Sequence, residues 1–321
     1  MLGGLGVLSF VVAFVASRLL ARFARFALDQ PNARSLHERP VPRTGGIAVL
    51  AGTAVAIPFV ASALWLPVLV ALALAAVSLV DDLRGMPTAV RLALHLAAAA
   101  LLAWYVLAPM HPIELALLIV AVAWITNLYN FMDGSDGLAG GMSFLGFGAY
   151  ALAAALAGNT PLALLCTAIA MAAAAFLAHN FHPARIFLGD VGSIPLGFLA
   201  AGLGLVGWRD DVWPLWFPLL VFGPFIGDAT VTLLKRLARR EKVWQAHRDH
   251  YYQRLVRMGF GHRGTAYIGY ALMAGCAAVA LLARTQAPVI QWSAFFGAAA
   301  ALGAAAVWVD LRWARHRRDG C

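Results

Sequence analysis

The sequence predicts an all-α protein that crosses a membrane many times, and its composition and pattern both support this fold class. Of its 321 residues, 62% are hydrophobic and only 12% are charged, and the mean hydropathy is +0.78. A soluble domain carries a charged fraction of about 25%. Apolar segments of about 20 residues, the length that crosses the hydrocarbon core, run nearly from end to end. We therefore expect a single integral membrane domain over residues 1–321.

About eleven membrane helices are predicted. The first apolar segment, Leu2–Leu20, is followed rather than preceded by arginines, which is the reverse of a cleaved signal peptide. The nearly unbroken apolar run 45–81 is divided around Ala61–Pro67. The predicted spans are 3–22, 45–62, 64–81, 91–109, 112–129, 137–157, 161–179, 193–208, 213–234, 265–284 and 290–310.

The ninth predicted span carries three prolines and two glycines between positions 214 and 227. A proline inside a helix removes a backbone hydrogen bond and kinks the helix. We expect a kinked ninth helix that opens a lipid-facing groove beside Asp81 and Asp82.

The basic residues indicate the orientation of the chain. All but two of the 24 Lys and Arg residues, the exceptions being Arg209 and Arg284, fall on one alternating set of segments. Such an excess marks the cytoplasmic side, so we expect a periplasmic N-terminus and a cytoplasmic C-terminus. The formal charge of +9 then reports topology, and no nucleic-acid partner is predicted. The expected cytoplasmic loops lie near 23–44, 81–91, 128–138, 180–192 and 235–264.

Acidic residues cluster at the inner ends of the predicted spans, where charge is costly and usually functional. Asp81 and Asp82 end the third span, and Asp190 precedes the eighth. Carboxylates that converge on one face repel one another unless they share a cation. Mg²⁺ prefers hard oxygen ligands and usually binds through one or two carboxylates plus substrate phosphates. Carboxylates, Mg²⁺ and a diphosphate substrate therefore form one consistent interpretation.

Two further motifs support that interpretation. The run 127–138, NLYNFMDGSDGL, repeats polar groups every third position, which places neighbours near one helix face. The run 187–193, FLGDVGS, places glycines around Asp190 just before a helix, where free N–H groups suit phosphate.

In the last polar loop, Arg248, His250 and Arg254 could hold a diphosphate or sugar. The alternative is a basic interfacial segment that rests on anionic lipid.

These motifs, in this order, resemble the polyprenyl-phosphate N-acetylhexosamine-1-phosphate transferases, or glycosyltransferase family 4. That superfamily includes the MraY-type translocases of peptidoglycan synthesis and the WecA-type initiators of envelope glycans. The run 29–46, DQPNARSLHERPVPRTGG, is similar to the first cytoplasmic loop of the family, and Asp81-Asp82 to its acidic pair. The runs 127–138 and 187–193 are similar to the family blocks NxxNFxDGxDGL and GDxGS. The resemblance covers most of the chain.

The resemblance implies roles for individual residues and a metal cofactor. Asp190 with Asn130 would hold Mg²⁺, for which Mn²⁺ can substitute, and Asp81 and Asp82 would be essential acids near the lipid phosphate. The implied nucleotide- and sugar-binding residues are Asn127, Asp133, Asp136, Arg91, Arg248, His250 and Arg254.

One part of the last loop departs from the family pattern. Many WecA-type members have His-x-His-His-Arg-Leu where this chain has HYYQRL at 250–255, so Tyr252 and Gln253 replace two histidines. The histidine-rich run of the MraY-type chains is also missing. We therefore favour a WecA-like member.

The implied reaction moves N-acetylhexosamine-1-phosphate from a UDP-sugar to undecaprenyl phosphate at the cytoplasmic face of a bacterial inner membrane. The donor is expected to be UDP-GlcNAc or a related UDP-N-acetyl-deoxyhexosamine. The lipid phosphate attacks the β-phosphorus directly, or an aspartyl-phosphate forms first, and the sequence leaves both routes open. The product starts an envelope glycan such as O-antigen or common antigen, and a homodimer is an expectation from the family.

Three alternatives remain at this point. A MraY-type phospho-MurNAc-pentapeptide translocase would use the same motifs. A Mg²⁺-dependent membrane prenyltransferase would need DxxxD or DDxxD spacing, whereas these carboxylates are adjacent (81 and 82) or three apart (133 and 136). A transporter would place its acids near the midplane, within repeated halves, whereas these acids lie at span ends.

Overall fold

The structure is a computed structural model that describes residues 1–24, 27–30, 40–107, 109–242, 245 and 247–319. Part of the predicted first loop, 31–39, lies outside the described residues. Two short strands, β1 (Leu28–Asp29) and β2 (Val41–Pro42), pair antiparallel. The α-helices are α1 Leu2–Phe23, α2 Gly45–Ala54, α3 Trp65–Arg84, α4 Thr88–Leu107, α5 Pro112–Phe131, α6 Leu138–Leu156, α7 Thr160–Asn180, α8 Asp190–Arg209, α9 Trp216–Val221, α10 Gly223–Ala238, α11 Tyr251–Leu255, α12 Gly261–Ala283 and α13 Pro288–Asp319.

Among the described residues, nine helical segments are long and apolar enough to cross a membrane. Helices satisfy their backbone hydrogen bonds internally, which hydrocarbon requires. The chain is therefore a multi-pass, nearly all-helical membrane protein, as predicted. The count of eleven spans and the orientation of the termini stay predictions.

The second predicted span, 45–62, takes a different form. The helix α2 ends at Ala54, and 3₁₀ turns follow at Ile57–Phe59 and Ser62–Leu64. Pro58 lies in the first of these turns and has no backbone N–H with which to continue a helix. Ten residues rise only about 15 Å, half of the hydrocarbon thickness, so α2 alone is too short to cross.

The ninth predicted span is broken in two, at the place where its prolines and glycines lie. The helix α9 ends at Val221 and α10 begins at Gly223, with Phe222 at φ −93° and ψ 11° between them. A cavity of about 430 Å³ lies beside the break, lined mainly by apolar side chains of α9 to α13. Its lining includes Met132 and Asp228 but neither Asp81 nor Asp82, so it is not the predicted groove beside those acids.

The helix α8 lies at the centre of the bundle and positions the site. Every residue from Val191 to Gly207 is buried, and α3 and α5 both pack along it. Because the C-terminal ends of α3 and α5 meet the N-terminal end of α8, the polar residues at those three ends come together. Distant parts of the sequence thus meet at one end of α8.

Backbone-to-backbone contacts fix the entry to α2 against the start of α8. The N–H groups of Gly45 and Gly46 donate to the carbonyls of Phe187 and Leu188, both at 2.8 Å. A Cβ on Gly46 would lie 2.3 Å from the Cα of Gly192. Only glycine permits such an approach, so Gly46 and Gly192 set how closely the start of α2 packs against the start of α8.

We expect Gly46→Ala to lower the unfolding midpoint of the purified protein. The added methyl group must push α2 away from α8, and overpacking of this kind costs about 1–3 kcal/mol. Thermal unfolding in detergent, followed by a fluorescent or circular dichroism signal, measures the shift. Gly275→Ala in α12 is the matched control, because its added Cβ meets nothing within 4 Å. Equal midpoints for the two variants would contradict the packing argument.

Candidate active site at the ends of α3, α5 and α8

Asp190 opens α8 from a turn that only glycine forms easily. Gly189, immediately before it, has φ of +72°, in the left-handed region. A Cβ at Gly189 would also lie 2.2 Å from the carbonyl oxygen of Arg43. The sequence therefore places Asp190 at a helix N-terminus, tight against the segment that follows β2.

Asn130, one residue before the end of α5, holds the Asp190 carboxylate. Its Nδ2 donates to Asp190 Oδ1 at 2.8 Å and to Ser193 Oγ at 3.0 Å. The Ser193 hydroxyl is buried and donates to the carbonyl of Gly189 at 3.1 Å. These bonds join the two predicted motifs into one unit.

Three aspartates and two arginines alternate across the site. Arg91 Nη1 lies 3.0 Å from Asp81 Oδ2 and 3.8 Å from Asp190 Oδ2. Arg43 Nη2 lies 3.3 Å from Asp190 Oδ1 and 3.0 Å from Asp82 Oδ1. Each guanidinium thus bridges Asp190 to one member of the acidic pair, and the set is called the ion-pair cluster below.

The carboxylates of the ion-pair cluster lie inside and the guanidinium groups lie outside. The side chain of Asp82 is 2% exposed, whereas that of Arg43 is 33% exposed and that of Arg91 is 38% exposed. Asp82 also accepts a weak hydrogen bond from the N–H of Val191 in the first turn of α8, at 3.4 Å. Buried carboxylates are costly unless paired, so the arginines act as their counter-ions.

The charge of Arg43 is stabilised by its neighbours. Burial lowers its pKa, but the nearby Asp82 and Asp190 outweigh burial, and the pKa of Arg43 is raised above its ordinary value. Arg43 therefore remains a cation in the ion-pair cluster.

Asp133 is held in the loop between α5 and α6. It accepts a hydrogen bond from the N–H of Gly189. Burial, followed by repulsion from Asp190, raises the pKa of Asp133 well above its ordinary value, although Arg43 and the Gly189 N–H act in the opposite direction. Folding therefore disfavours the charged form of Asp133.

Asn127 and Asp136 are each engaged in a local network. Asn127 donates to the carbonyl of Ala123 at 2.7 Å, and its Oδ1 lies 3.1 Å from His95 Nδ1 on α4.

Asp136 Oδ2 lies 2.6 Å from His182 Nδ1 and accepts from a backbone N–H at 3.1 Å. The ring of His182 stacks on that of His262, and these two histidines with Asp136 could hold a cation by geometry.

His250 is positioned by Asp228, an acidic residue of α10. Its Nδ1 lies 3.2 Å from Asp228 Oδ1 on α10, and the same carboxylate accepts from the backbone N–H groups of Tyr251 and Tyr252 at 2.9 and 3.0 Å. Asp228 thus holds the first turn of α11.

The pKa of the adjacent His247 is lowered to about 4, mainly by burial and then by the charges of His250 and Arg236.

The two residues that depart from the family pattern make structural contacts. The hydroxyl of Tyr252 donates to the carbonyl of Phe131 at 3.1 Å, and Gln253 Oε1 accepts from the N–H of His250 at 3.2 Å. Tyr252 therefore joins α11 to the end of α5, one residue from Asn130.

The two predicted arginines of this loop lie in different surroundings. Arg254 is buried, donates to Asp310 of α13 at 2.8 Å and lies over the ring of Tyr251. Arg248 is half-buried, and its carbonyl accepts from Arg257 at 3.4 Å. Of the predicted site residues, the structure joins Asp81, Arg91, Asn130 and Asp190 by direct contacts and links Asp82 to them through Arg43.

Sequence reasoning missed several residues that the fold brings in. It gave Arg43 no role although it quoted the segment, and it did not single out His95, His182 or His262. The signal for Arg43 was its position beside Gly45 and Gly46, since adjacent glycines mark a close backbone approach. The histidines carried no comparable signal.

The donor set suits Mg²⁺. A single nitrogen, Arg43 Nη2, lies 3.0 Å from Asp82 and 3.3 Å from Asp190, so both carboxylates already face one positively charged atom. Their oxygens are the hard ligands that Mg²⁺ prefers. Asp82 and Asp190 could therefore hold the ion, while Asn130 donates its amide N–H to Asp190 and orients that carboxylate.

The fold and site define a multi-pass membrane protein with a buried acidic cluster at one end of its bundle, and comparisons with known proteins give its family. The model of glycosyl transferase family 4 matches residues 64–208. That range contains Asp81, Asp82, Asn130 and Asp190. The chain belongs to glycosyl transferase family 4.

Its relatives extend the match over most of the chain. A decaprenyl-phosphate N-acetylglucosaminephosphotransferase of Mycolicibacterium smegmatis is 31% identical over 320 residues, 83% of this chain and 78% of the relative. A probable undecaprenyl-phosphate N-acetylglucosaminyl 1-phosphate transferase of Bacillus subtilis is 28% identical over 265 residues, 76% and 74% of the two chains. A phospho-N-acetylmuramoyl-pentapeptide-transferase of Symbiobacterium thermophilum is 48% identical over 92 residues, 28% of each chain.

We expect Asp133→Asn to stabilise the protein at pH 8 when divalent cations are chelated. A carboxyl whose pKa is raised on folding costs stability as the pH rises above its unfolded value, and the neutral amide avoids that cost. The gain should be about 2–4 °C in unfolding midpoint for each kcal/mol relieved, and it should vanish near pH 4. Thermal unfolding with EDTA at both pH values measures it. A gain that persists unchanged at low pH would show that charge is not its cause.

Proposed function

We propose that this protein transfers N-acetylhexosamine-1-phosphate from a UDP-sugar to a polyprenyl phosphate, with undecaprenyl phosphate as the acceptor. An oxygen of the lipid phosphate forms a bond to the β-phosphorus, the bond between the α- and β-phosphates breaks, and UMP leaves. The observation that carries this proposal is the meeting of Asp82 and Asp190 at one cationic atom, with Asn130 hydrogen-bonded to Asp190. The relatives named above, whose printed names describe N-acetylglucosamine phosphate transfer to polyprenyl phosphates, support it.

The residues divide into a metal-holding group and a phosphate-binding group. Asp190 with Asn130 and Asp82 would hold Mg²⁺, which neutralises the diphosphate when bound. Asp81 or Asp82 orients the lipid phosphate or takes its proton. Arg91 offers its planar guanidinium to a phosphate. The nucleotide lies near Asn127, Asp133 and Asp136, with Arg248, His250 and Arg254 on the adjoining loop.

Phosphoryl transfer depends mainly on positioning and charge neutralisation, and the site is built for both. The carboxylates sit on helix ends that pack against the buried α8, so their relative positions are set by the core. Solvent reaches the guanidinium side, which is where a soluble sugar nucleotide enters. We place that side in the cytoplasm of a bacterial inner membrane because the predicted topology puts all but two of the Lys and Arg residues on it.

The donor is UDP-GlcNAc or a related UDP-N-acetyl-deoxyhexosamine, and the product starts an envelope glycan such as the O-antigen of lipopolysaccharide. A second candidate is the phospho-MurNAc-pentapeptide reaction, which the 48% identity over 92 residues favours. That match covers 28% of the chain, whereas the N-acetylglucosamine relatives match over most of it.

A panel of UDP-sugars with undecaprenyl phosphate and Mg²⁺ tests the proposal. The purified protein should release UMP from UDP-GlcNAc or an N-acetyl-deoxyhexosamine donor. Asp190→Asn should lower the rate by about 100-fold or more, because the loss of one charged group that stabilises transition-state charge costs that much. UMP release, measured by chromatography, reports both results.

Asp210→Asn serves as the matched control because Asp210 lies at the opposite end of the same helix and pairs with Arg209. It should keep the wild-type rate. Release of UMP only from UDP-MurNAc-pentapeptide would favour the second candidate. No UMP release from any UDP-sugar, or full activity of Asp190→Asn, would refute the proposed function.

A further inference from the structure

Arg43 Nη2 contacts oxygens of both Asp82 and Asp190, the two carboxylates that would hold the proposed Mg²⁺. We propose that Arg43 is the resident counter-cation of the site, that it gives way when a divalent cation binds, and that its guanidinium then contacts the diphosphate of the sugar nucleotide. This inference rests on the proposed function.

The first argument is steric. Arg43 Nη2 lies 3.0 Å from Asp82 Oδ1 and 3.3 Å from Asp190 Oδ1. Mg²⁺ binds oxygen at about 2.0–2.1 Å. An ion that binds these two oxygens from the side where Nη2 now lies would overlap that nitrogen, so the guanidinium moves when the ion binds there.

The second argument is that the side chain can move while its backbone stays fixed. The N–H of Arg43 donates to the carbonyl of Ala27 at 2.9 Å, and the flanking Pro42 and Gly45 bond to Phe187 at 2.8 Å. The side chain, by contrast, is 33% exposed. Its long stem can therefore carry the guanidinium toward solvent without disturbing α8.

The third argument concerns charge. The ion-pair cluster contains three carboxylates and two guanidinium groups. A dication that binds between Asp82 and Asp190 takes from Arg43 the two carboxylates that stabilise its charge most, next to the place where a diphosphate would lie. The planar guanidinium fork matches phosphate oxygens well, so the substrate supplies the partners that the ion has taken. Metal and sugar nucleotide should consequently bind with positive coupling.

Mn²⁺ binding to the full-length protein in nanodiscs tests the proposal, with electron paramagnetic resonance to count free ions. Arg43→Met and Arg43→Gln, which remove the competing charge, should bind Mn²⁺ about 10-fold more tightly than the wild type. Arg43→Lys keeps the charge and should remain within about 3-fold of the wild type. UDP-GlcNAc should tighten Mn²⁺ binding to the wild type more than to Arg43→Met, because only the wild type has a guanidinium at position 43 that can move from the carboxylates to the diphosphate.

Arg84→Met is the matched control for long-range charge, because Arg84 is exposed on α3, two residues beyond Asp82. It should shift Mn²⁺ affinity less than either neutral Arg43 variant does. The proposal is overturned if both neutral Arg43 variants bind Mn²⁺ no more tightly than the wild type, or if Arg84→Met matches them. Mn²⁺ binding is measured without turnover, so it judges Arg43 even if no UDP-sugar yields UMP.

Discussion

The burial of carboxylates at three helix ends is the constraint on which the rest of this structure depends. Asp82 is almost fully buried and Asp190 lies beside it, and such groups are tolerated only with cations between them. Arg43 and Arg91 supply those cations from the solvent side. The helix ends can therefore meet only if the segment before α2 and the start of α4 also reach the same place.

The glycines of the structure follow from that requirement. Arg43 can stand between the carboxylates only if its backbone approaches the start of α8 closely. Gly189 has no Cβ that would clash with the carbonyl oxygen of Arg43, and the backbones of Gly46 and Gly192 lie in close contact. Acidic residues, basic residues and small residues are thus parts of one arrangement, in which close packing allows the charges to pair and pairing allows the carboxylates to be buried.

Sequence patterns predicted the parts of this arrangement that are local. Hydropathy found the long helices because each must span hydrocarbon with its own hydrogen bonds, and the prolines of the ninth span predicted its break. The acids were recognisable because Asp81, Asp82 and Asp190 lie at the ends of apolar runs. The predicted length of the second span was wrong because an apolar run has the same hydropathy in a helix as in 3₁₀ turns. Only Pro58 indicated that the helix would end early.

What the sequence could not predict is long-range pairing. Arg43 and Asp190 are 147 positions apart, and no periodicity relates them. A lone arginine in a loop is most often a topology signal, as most arginines of this chain are. Its partners become visible only when α8 is placed between α3 and α5. The same holds for His250, whose orientation depends on Asp228 of α10. Residues whose role depends on a distant partner can therefore be identified only from the fold. Acidic residues at the ends of apolar runs can be identified from the sequence, because burial of their charge is costly.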